Sequence, residues 1–188
     1  MHVNPTIVAV IVIAVLVLVV IAIVAMQRQR KAALRQRFGK EYDRAVRERG
    51  SEREAQAVLD ERAKRVDKFH IRGLDRPERE RFATRWRTVQ ARFVDDPRGA
   101  VVEADDTVAA LMGARGYPMA DFEQRAADLS VDHARVVDNY REAHEIAVRN
   151  RQSTTTTEDL RQAMIYYRSL FEDHLLDERM PHGIKEVA

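Results

Sequence analysis

The sequence predicts an all-α protein in which one N-terminal transmembrane helix precedes a compact bundle of about six short helices. Three observations support this fold class. The run from Ile7 to Met26 is uncharged and consists almost entirely of Val, Ile, Leu and Ala. Beyond it, apolar residues recur at three- and four-residue intervals, which is typical of helices. No alternating apolar–polar run is long enough to indicate a strand.

The apolar run has the length of a membrane-spanning helix. At about 1.5 Å per residue it reaches about 30 Å, the thickness of the hydrocarbon core of a bilayer. No Lys or Arg precedes it and no small-x-small cleavage site ends it, so we expect an uncleaved anchor rather than a signal peptide. Five basic residues follow closely: Arg28, Arg30, Lys31, Arg35 and Arg37. The positive-inside rule then predicts a single-pass protein of the cell's inner (plasma) membrane, with its N-terminus outside and its C-terminal domain in the cytoplasm.

Glycines divide the chain after the anchor. Gly39 is expected to bend a basic juxtamembrane helix, and Gly50 is expected to end it. From Ser51 onward there is enough chain for one compact core. The predicted segments are an N-terminal tail (1–6), the transmembrane helix (7–26), a basic juxtamembrane helical tether (27–50), a soluble helical domain (51–180) and a C-terminal tail (181–188).

Capping signals mark the helix starts of the soluble domain. Ser51 and Glu54 have the spacing of a capping box. Asp75 and Asp96 stand shortly before prolines, in positions typical of an N-cap. Ser130 is expected to cap a later helix. The helix after Asp75 carries the clearest apolar stripe in the chain, formed by Phe82, Trp86, Val89 and Phe93.

A hydroxyl-rich linker precedes the last helix. Ser153 and the four threonines after it favour a solvated loop, with a phosphorylation site as the alternative. Glu158 and Asp159 suit the first turn of a helix because acidic side chains interact favourably with its dipole. That helix is expected to bury apolar side chains as far as Leu175.

Charge is unevenly distributed, although the formal net charge is only +2. Residues 27–100 carry 22 basic and 13 acidic side chains, whereas residues 101–188 carry 10 and 17. The five basic residues after the anchor are therefore candidates for contact with anionic lipid, and the alternative is that they only set the topology. The acidic distal half and the lack of a basic face with stacking aromatics disfavour nucleic acid as a partner.

One polar cluster stands on an otherwise apolar helical stretch. Tyr140 and His144 are neighbours at i, i+4, and Asp132 and His133 lie shortly before them. Gln90 is a further candidate member. One reading is a small ligand-binding cavity with a titratable histidine, and the other is a buried hydrogen-bond network that fixes helix packing. The second reading is favoured.

The sequence predicts neither a metal nor a cofactor. His133 and His144 are expected to share a helical face, but eleven residues separate them by about 16 Å, so they cannot chelate one ion. The neighbouring carboxylates of Asp105 and Asp106 point apart on a helix. The chain has no cysteine, which excludes disulfides and thiol nucleophiles. It also has no nucleophile elbow, phosphate-binding glycine loop or dinucleotide fingerprint, and an enzyme is disfavoured.

Several stretches of the chain resemble a family of bacterial single-pass membrane-anchored helical proteins. This resemblance implies the anchor-plus-domain architecture, and it implies no activity, because the family has none established. The stretches that carry it are Arg37-Phe38-Gly39-Lys40-Glu41-Tyr42-Asp43-Arg44, Trp86 to Pro97, Arg115-Gly116-Tyr117-Pro118 through Ser130-Val131-Asp132-His133, Tyr140-Arg141-Glu142-Ala143-His144 and Thr157-Glu158-Asp159-Leu160-Arg161-Gln162-Ala163-Met164.

The sequence therefore favours a membrane-anchored protein-interaction or scaffold module, which engages a partner protein or a second copy of itself. Membrane confinement raises effective concentration, so a modest interface suffices. Two alternatives remain open. One is a ligand-binding or enzymatic domain that uses His133, Tyr140 and His144, and the other is a module that responds to anionic lipid through the basic tether.

Overall fold

The computed structural model describes residues 5–152 and 154–176. Over these residues the chain forms eight α-helices and a terminal π-helical segment, without a strand, so the all-α prediction is confirmed. Six helices follow Gly50, as predicted for the bundle. The elements are α1 (Pro5–Phe38), α2 (Lys40–Arg49), α3 (Glu52–Val66), α4 (Arg76–Arg92), α5 (Pro97–Ala114), α6 (Phe122–Asp132), α7 (Val137–Arg151), α8 (Thr157–Arg168) and the π-helical segment (Ser169–Leu175).

The chain divides into two compact units, Met1–Gln56 and Ala57–Ala188. In the first, α1 is long and apolar enough to cross a membrane, by length and composition. The side chains of residues 13–30 are all exposed, although most of residues 13–26 are apolar. Pro5 already belongs to α1, so part of the predicted tail is helical. Residues 1–4 and 177–188 lie outside the described residues, and with them the predicted C-terminal tail.

Two glycines divide the first unit: Gly50 ends a helix, as predicted, whereas Gly39 was expected to bend one helix and instead lies between two. Gly39 has a φ of 51° and separates α1 from α2, whereas Gly50 has a φ of 75° and ends α2. Both values lie in the left-handed region that favours glycine. Tyr42 on α2 is fully buried, and its hydroxyl accepts a hydrogen bond from Gln56 Nε2 at 3.2 Å.

Aspartates and a threonine cap four helices of the second unit, whereas α7 begins without a side-chain cap. Asp75 forms a capping box with Glu78, and Asp96 accepts the Gly99 N–H at 2.9 Å, as the sequence predicted for these two caps. Thr156 caps α8. The prediction for Ser130 is wrong. It lies inside α6, where its hydroxyl donates to the Ala127 carbonyl and accepts from an arginine of α3, Arg62.

Helix α5 lies at the centre of the second unit and contacts α4, α7 and α8. Its buried face includes Val101, Ala104, Val108 and Leu111, all with no exposed surface. Trp86 is buried on α4, in agreement with the predicted stripe. Its indole stacks on Phe171 at 4.7 Å between ring centroids and donates to Glu172 Oε1 at 3.1 Å.

The linker before α8 is less solvated than predicted. Thr155 is buried, and its carbonyl accepts a hydrogen bond from Arg98 at 3.2 Å. Asn150 at the end of α7 donates to the Arg98 carbonyl at 2.9 Å. These contacts fasten the linker to the start of α5. Ser153 lies outside the described residues.

Candidate ligand site between helices α6 and α7

A buried carboxylate joins the three central helices of the second unit. Asp105 on α5 is only 5% exposed, although its neighbours on the same face are apolar. Its Oδ1 accepts a hydrogen bond from the Tyr167 hydroxyl of α8 at 3.0 Å. The Nδ1 atom of His144 on α7 lies 3.1 Å from the same oxygen. The guanidinium of Arg151 lies 3.5 Å from Oδ2.

These donors compensate for the free-energy cost of burying the Asp105 carboxylate. Removing a carboxylate from water costs several kcal/mol unless hydrogen bonds and opposite charge compensate for it. Burial raises the pKa of the Tyr167 hydroxyl, and the Asp105 carboxylate raises it further. Tyr167 therefore stays protonated and donates to the carboxylate across the physiological pH range.

The imidazole of His144 is held on its edge and on its face. Asp105 binds its Nδ1 edge, and the ring of Phe122 stacks on its face at 3.6 Å between centroids with an angle of 8°. Phe122 also packs against Tyr140, with ring centroids 5.0 Å apart. Because Asp105 engages Nδ1, a neutral ring presents the lone pair of its Nε2 atom on the opposite edge.

His144 lines an open groove of about 590 Å³ between the start of α6 and the last turns of α7. The groove combines an apolar part with an acidic rim, because it contains three carboxylates and one guanidinium. Its lining consists of Asp121, Phe122, Glu123, His144, Glu145, Val148 and Arg149. The volume falls within the range of small-ligand sites, about 300–1,000 Å³.

Tyr140 lies next to this groove but takes no part in the hydrogen bonding of Asp105. Its hydroxyl is buried, and no described group bonds to it with good geometry. Burial raises the pKa of Tyr140, and the nearby Arg125 guanidinium offsets part of the rise. A neutral phenol at this position packs its ring against Phe122 and the edge of Tyr167, at 5.0 and 6.5 Å between centroids.

The structure separates the polar cluster that the sequence suggested. Tyr140 and His144 share one aromatic cluster, but His133 is the C-cap of α6, and α7 begins only at Val137. The prediction that His133 and His144 share a helical face is therefore wrong. His133 lies eleven residues beyond Phe122, or about 16 Å along the helix. Asp132 lies at the same end of α6. Burial raises the pKa of Tyr117, and the charge of Asp132 raises it further.

Gln90 does not join the site. It is half-buried on α4, and no hydrogen bond connects it to Asp105, His144 or Tyr167 in the part of the chain that the structure describes.

Asp105 organises the site, although its sequence pattern did not identify it as a site residue. One signal was present, because this carboxylate occupies the apolar stripe of α5, four residues after Val101 and three before Val108. Its partners on α7 and α8 lie 39 and 62 residues away along the chain, so no local pattern predicts them.

The basic residues after the anchor are partly engaged within the first unit. Lys31 Nζ lies 2.6 Å from a carboxylate oxygen of Glu52, and Arg35 lies 3.0 Å from Asp43. Asp43 raises the pKa of Arg35 through this contact. Arg28, Arg30 and Arg37 have exposed side chains.

No group of three or more His, Asp or Glu side chains within residues 5–152 and 154–176 is arranged to hold a metal ion. Comparisons with known proteins find no matching family model, no matching curated protein and no matching solved structure.

Proposed function

We propose that the chain is a membrane-anchored interaction module, which holds its helical domain at the cytoplasmic face of the plasma membrane and engages a partner protein or a second copy of itself. The observation that carries the proposal is the apolar part of α1, whose side chains from Ile13 to Met26 are all exposed. Each large aliphatic side chain gains roughly 1.5–3 kcal/mol when it leaves water. A bilayer supplies that gain along the whole segment.

The basic residues that follow α1 support the proposed orientation. Positive charge close to a membrane span is retained on the cytoplasmic side. The proposal also draws on the resemblance of the soluble segments to bacterial membrane-anchored helical proteins. Attachment to one membrane raises the effective concentration of two partners, so the domain needs only a modest contact surface.

The proposal is tested by membrane extraction of the full chain. We expect the protein to stay in the membrane pellet at high salt and at alkaline pH. The double variant Leu18→Arg and Val19→Arg should move to the soluble fraction, because each arginine at the centre of a span costs about 2.5–3.5 kcal/mol. Release of the unaltered protein by alkali would contradict the anchor.

Formaldehyde crosslinking in cells tests the interaction. We expect crosslinked species larger than the 21.7 kDa monomer. The double-arginine variant should lose them, because it is no longer confined with its partner. A well-inserted protein that stays monomeric after crosslinking would contradict the interaction role.

A second candidate function is a ligand-binding or enzymatic role at His144. The observation that favours it is the buried Asp105 carboxylate, which orients the imidazole beside an open groove, as a general base is commonly oriented. A screen of small molecules by thermal shift tests this role. A hit should lose its effect in His144→Phe and keep it in His133→Phe.

Contact with anionic lipid is a third candidate. The ion pairs of Lys31 and Arg35 are exposed, and such pairs contribute only about 0–1 kcal/mol, so phosphate groups can compete for these side chains. Binding of the full chain's basic segment to anionic lipid should then weaken as salt rises.

A further inference from the structure

We propose that the groove between α6 and α7 binds a short basic segment of the partner protein, one that carries an apolar side chain between lysines or arginines. This inference rests on the proposed interaction function and names the chemistry of its partner. Three features of the groove support it: its acidic rim, its apolar part and the oriented imidazole of His144.

The charges of the rim favour a cationic occupant. Asp121 and Glu145 are exposed on opposite sides of the groove, at the start of α6 and on α7. Glu123 is also on the rim, although Arg141 lies 2.7 Å from it and compensates part of its charge. Arg149 is the single guanidinium among the lining residues. The surplus of carboxylates attracts a basic segment and repels phosphate or acidic ones.

The N-terminus of α6 does not reverse this preference. The N-terminus of a helix ordinarily attracts anions, because its free N–H groups carry partial positive charge. At α6, the carboxylate of Asp121 already accepts the Gln124 N–H at 2.8 Å, so the helix end presents a negative charge to the groove.

The apolar part of the groove accommodates one side chain. Phe122 and Val148 face it from the two helices, and Val148 is 37% exposed. The groove is open along α7, from His144 to Arg149. An open channel suits an extended or helical segment of a partner, whereas small ligands are mostly enclosed by their sites.

His144 supplies a fixed polar contact within this groove. Asp105 engages the Nδ1 edge of the ring and Phe122 packs on its face, which leaves Nε2 to form a hydrogen bond with the bound segment. Asp105 is a positioning residue in this arrangement, because it acts only through His144.

The test is photocrosslinking in cells with full-length, membrane-inserted protein. Benzoylphenylalanine is placed at Val148 inside the groove or at Val94, which is 81% exposed outside it. Crosslinked peptides are identified by mass spectrometry. We expect Val148 probes to capture peptides with at least two lysines or arginines within a few residues of the attachment point, together with an apolar residue.

A charge reversal in the groove provides the second measurement. Glu145→Arg should lower the crosslinking yield at position 148 by about tenfold, because it turns attraction at the rim into repulsion. Asp106→Arg makes the same charge change at an exposed position outside the groove and should leave the yield unchanged.

Each outcome bears on the proposal. Capture of neutral or acidic peptides, or of lipid, at position 148 would overturn the basic-segment inference. A crosslinking yield that Glu145→Arg does not change would also overturn it. Crosslinks from Val94 with none from Val148 would also overturn it, while the interaction function would stand. If neither position forms crosslinks in correctly inserted protein, the basic-segment inference is overturned. If the protein also stays monomeric in formaldehyde, the interaction function is overturned as well.

Discussion

At the scale of single residues, Asp105 shows how one buried charge connects three helices. We predict that Asp105→Ala lowers the free energy of unfolding by about 3 kcal/mol, because it leaves the buried Tyr167 hydroxyl and His144 without their acceptor. Urea unfolding in nonionic detergent, followed by the fluorescence of Trp86, measures the change. Trp86 is the only tryptophan.

The neighbouring aspartate is the matched control for this measurement. Asp106 lies on the exposed side of α5, so Asp106→Ala should change the stability by less than about 0.5 kcal/mol. Equal effects of the two substitutions would show that Asp105 has no structural role beyond that of a surface carboxylate.

Gly116 is a second residue whose environment makes a definite prediction. Its φ is 96°, and a Cβ atom there would lie 2.4 Å from the His70 carbonyl oxygen. Gly116→Ala should therefore lower the free energy of unfolding by about 1–3 kcal/mol. Gly73→Ala is the control, since a Cβ at Gly73 meets nothing within 4 Å. The same loss of stability for both substitutions in urea unfolding would contradict the close approach of the chain to the His70 carbonyl at Gly116.

At the scale of the elements, the start of α4 depends on the charge of Glu78. A hydrogen bond from Arg72 and then the Asp75 backbone N–H lower the pKa of Glu78 from 4.5 to about 2. A carboxyl group with a lowered folded-state pKa stabilises the fold above its ordinary pKa and loses that contribution as pH falls. We predict that Glu78→Gln is destabilising at pH 7 and that its effect disappears between about pH 4.5 and pH 2.

The control for Glu78 lies on the same helix. Glu80 makes an exposed i, i+4 ion pair with Arg76 at 2.9 Å, so Glu80→Gln should have little effect at either pH. Thermal unfolding followed by circular dichroism at several pH values measures both variants. A penalty for Glu78→Gln that persists unchanged at pH 2 would contradict the role of its charge.

The elements also show which features a sequence can predict. The start of α4 was predictable because Asp75, Pro77 and Glu78 act within one turn. The junction of α6 and α7 was not, because Ser130 has the chemistry of a cap but bonds instead to Arg62, 68 residues away. Tyr140 and His144 could be proposed from their i, i+4 spacing, whereas Asp105 needed the packing of three helices to acquire its partners.

At the scale of the whole molecule, the apolar part of α1 and the charge distribution together predict a membrane anchor and its orientation. The apolar segment predicts a bilayer, and the basic residues after it predict the side on which the domain lies. The acidic half of the chain contains the groove proposed to bind a basic segment. The proposed function therefore depends on the topology, because a domain on the outer face would meet a different set of partners.

Single-cysteine labelling measures the topology, since the chain has no cysteine of its own. His2→Cys and Arg53→Cys are compared in full-length protein with a membrane-impermeant maleimide; Arg53 is exposed on α3. We predict that Cys at position 2 reacts in intact cells, whereas Cys at position 53 reacts only after the membrane is permeabilised. Labelling of position 53 in intact cells, with position 2 protected until permeabilisation, would contradict it.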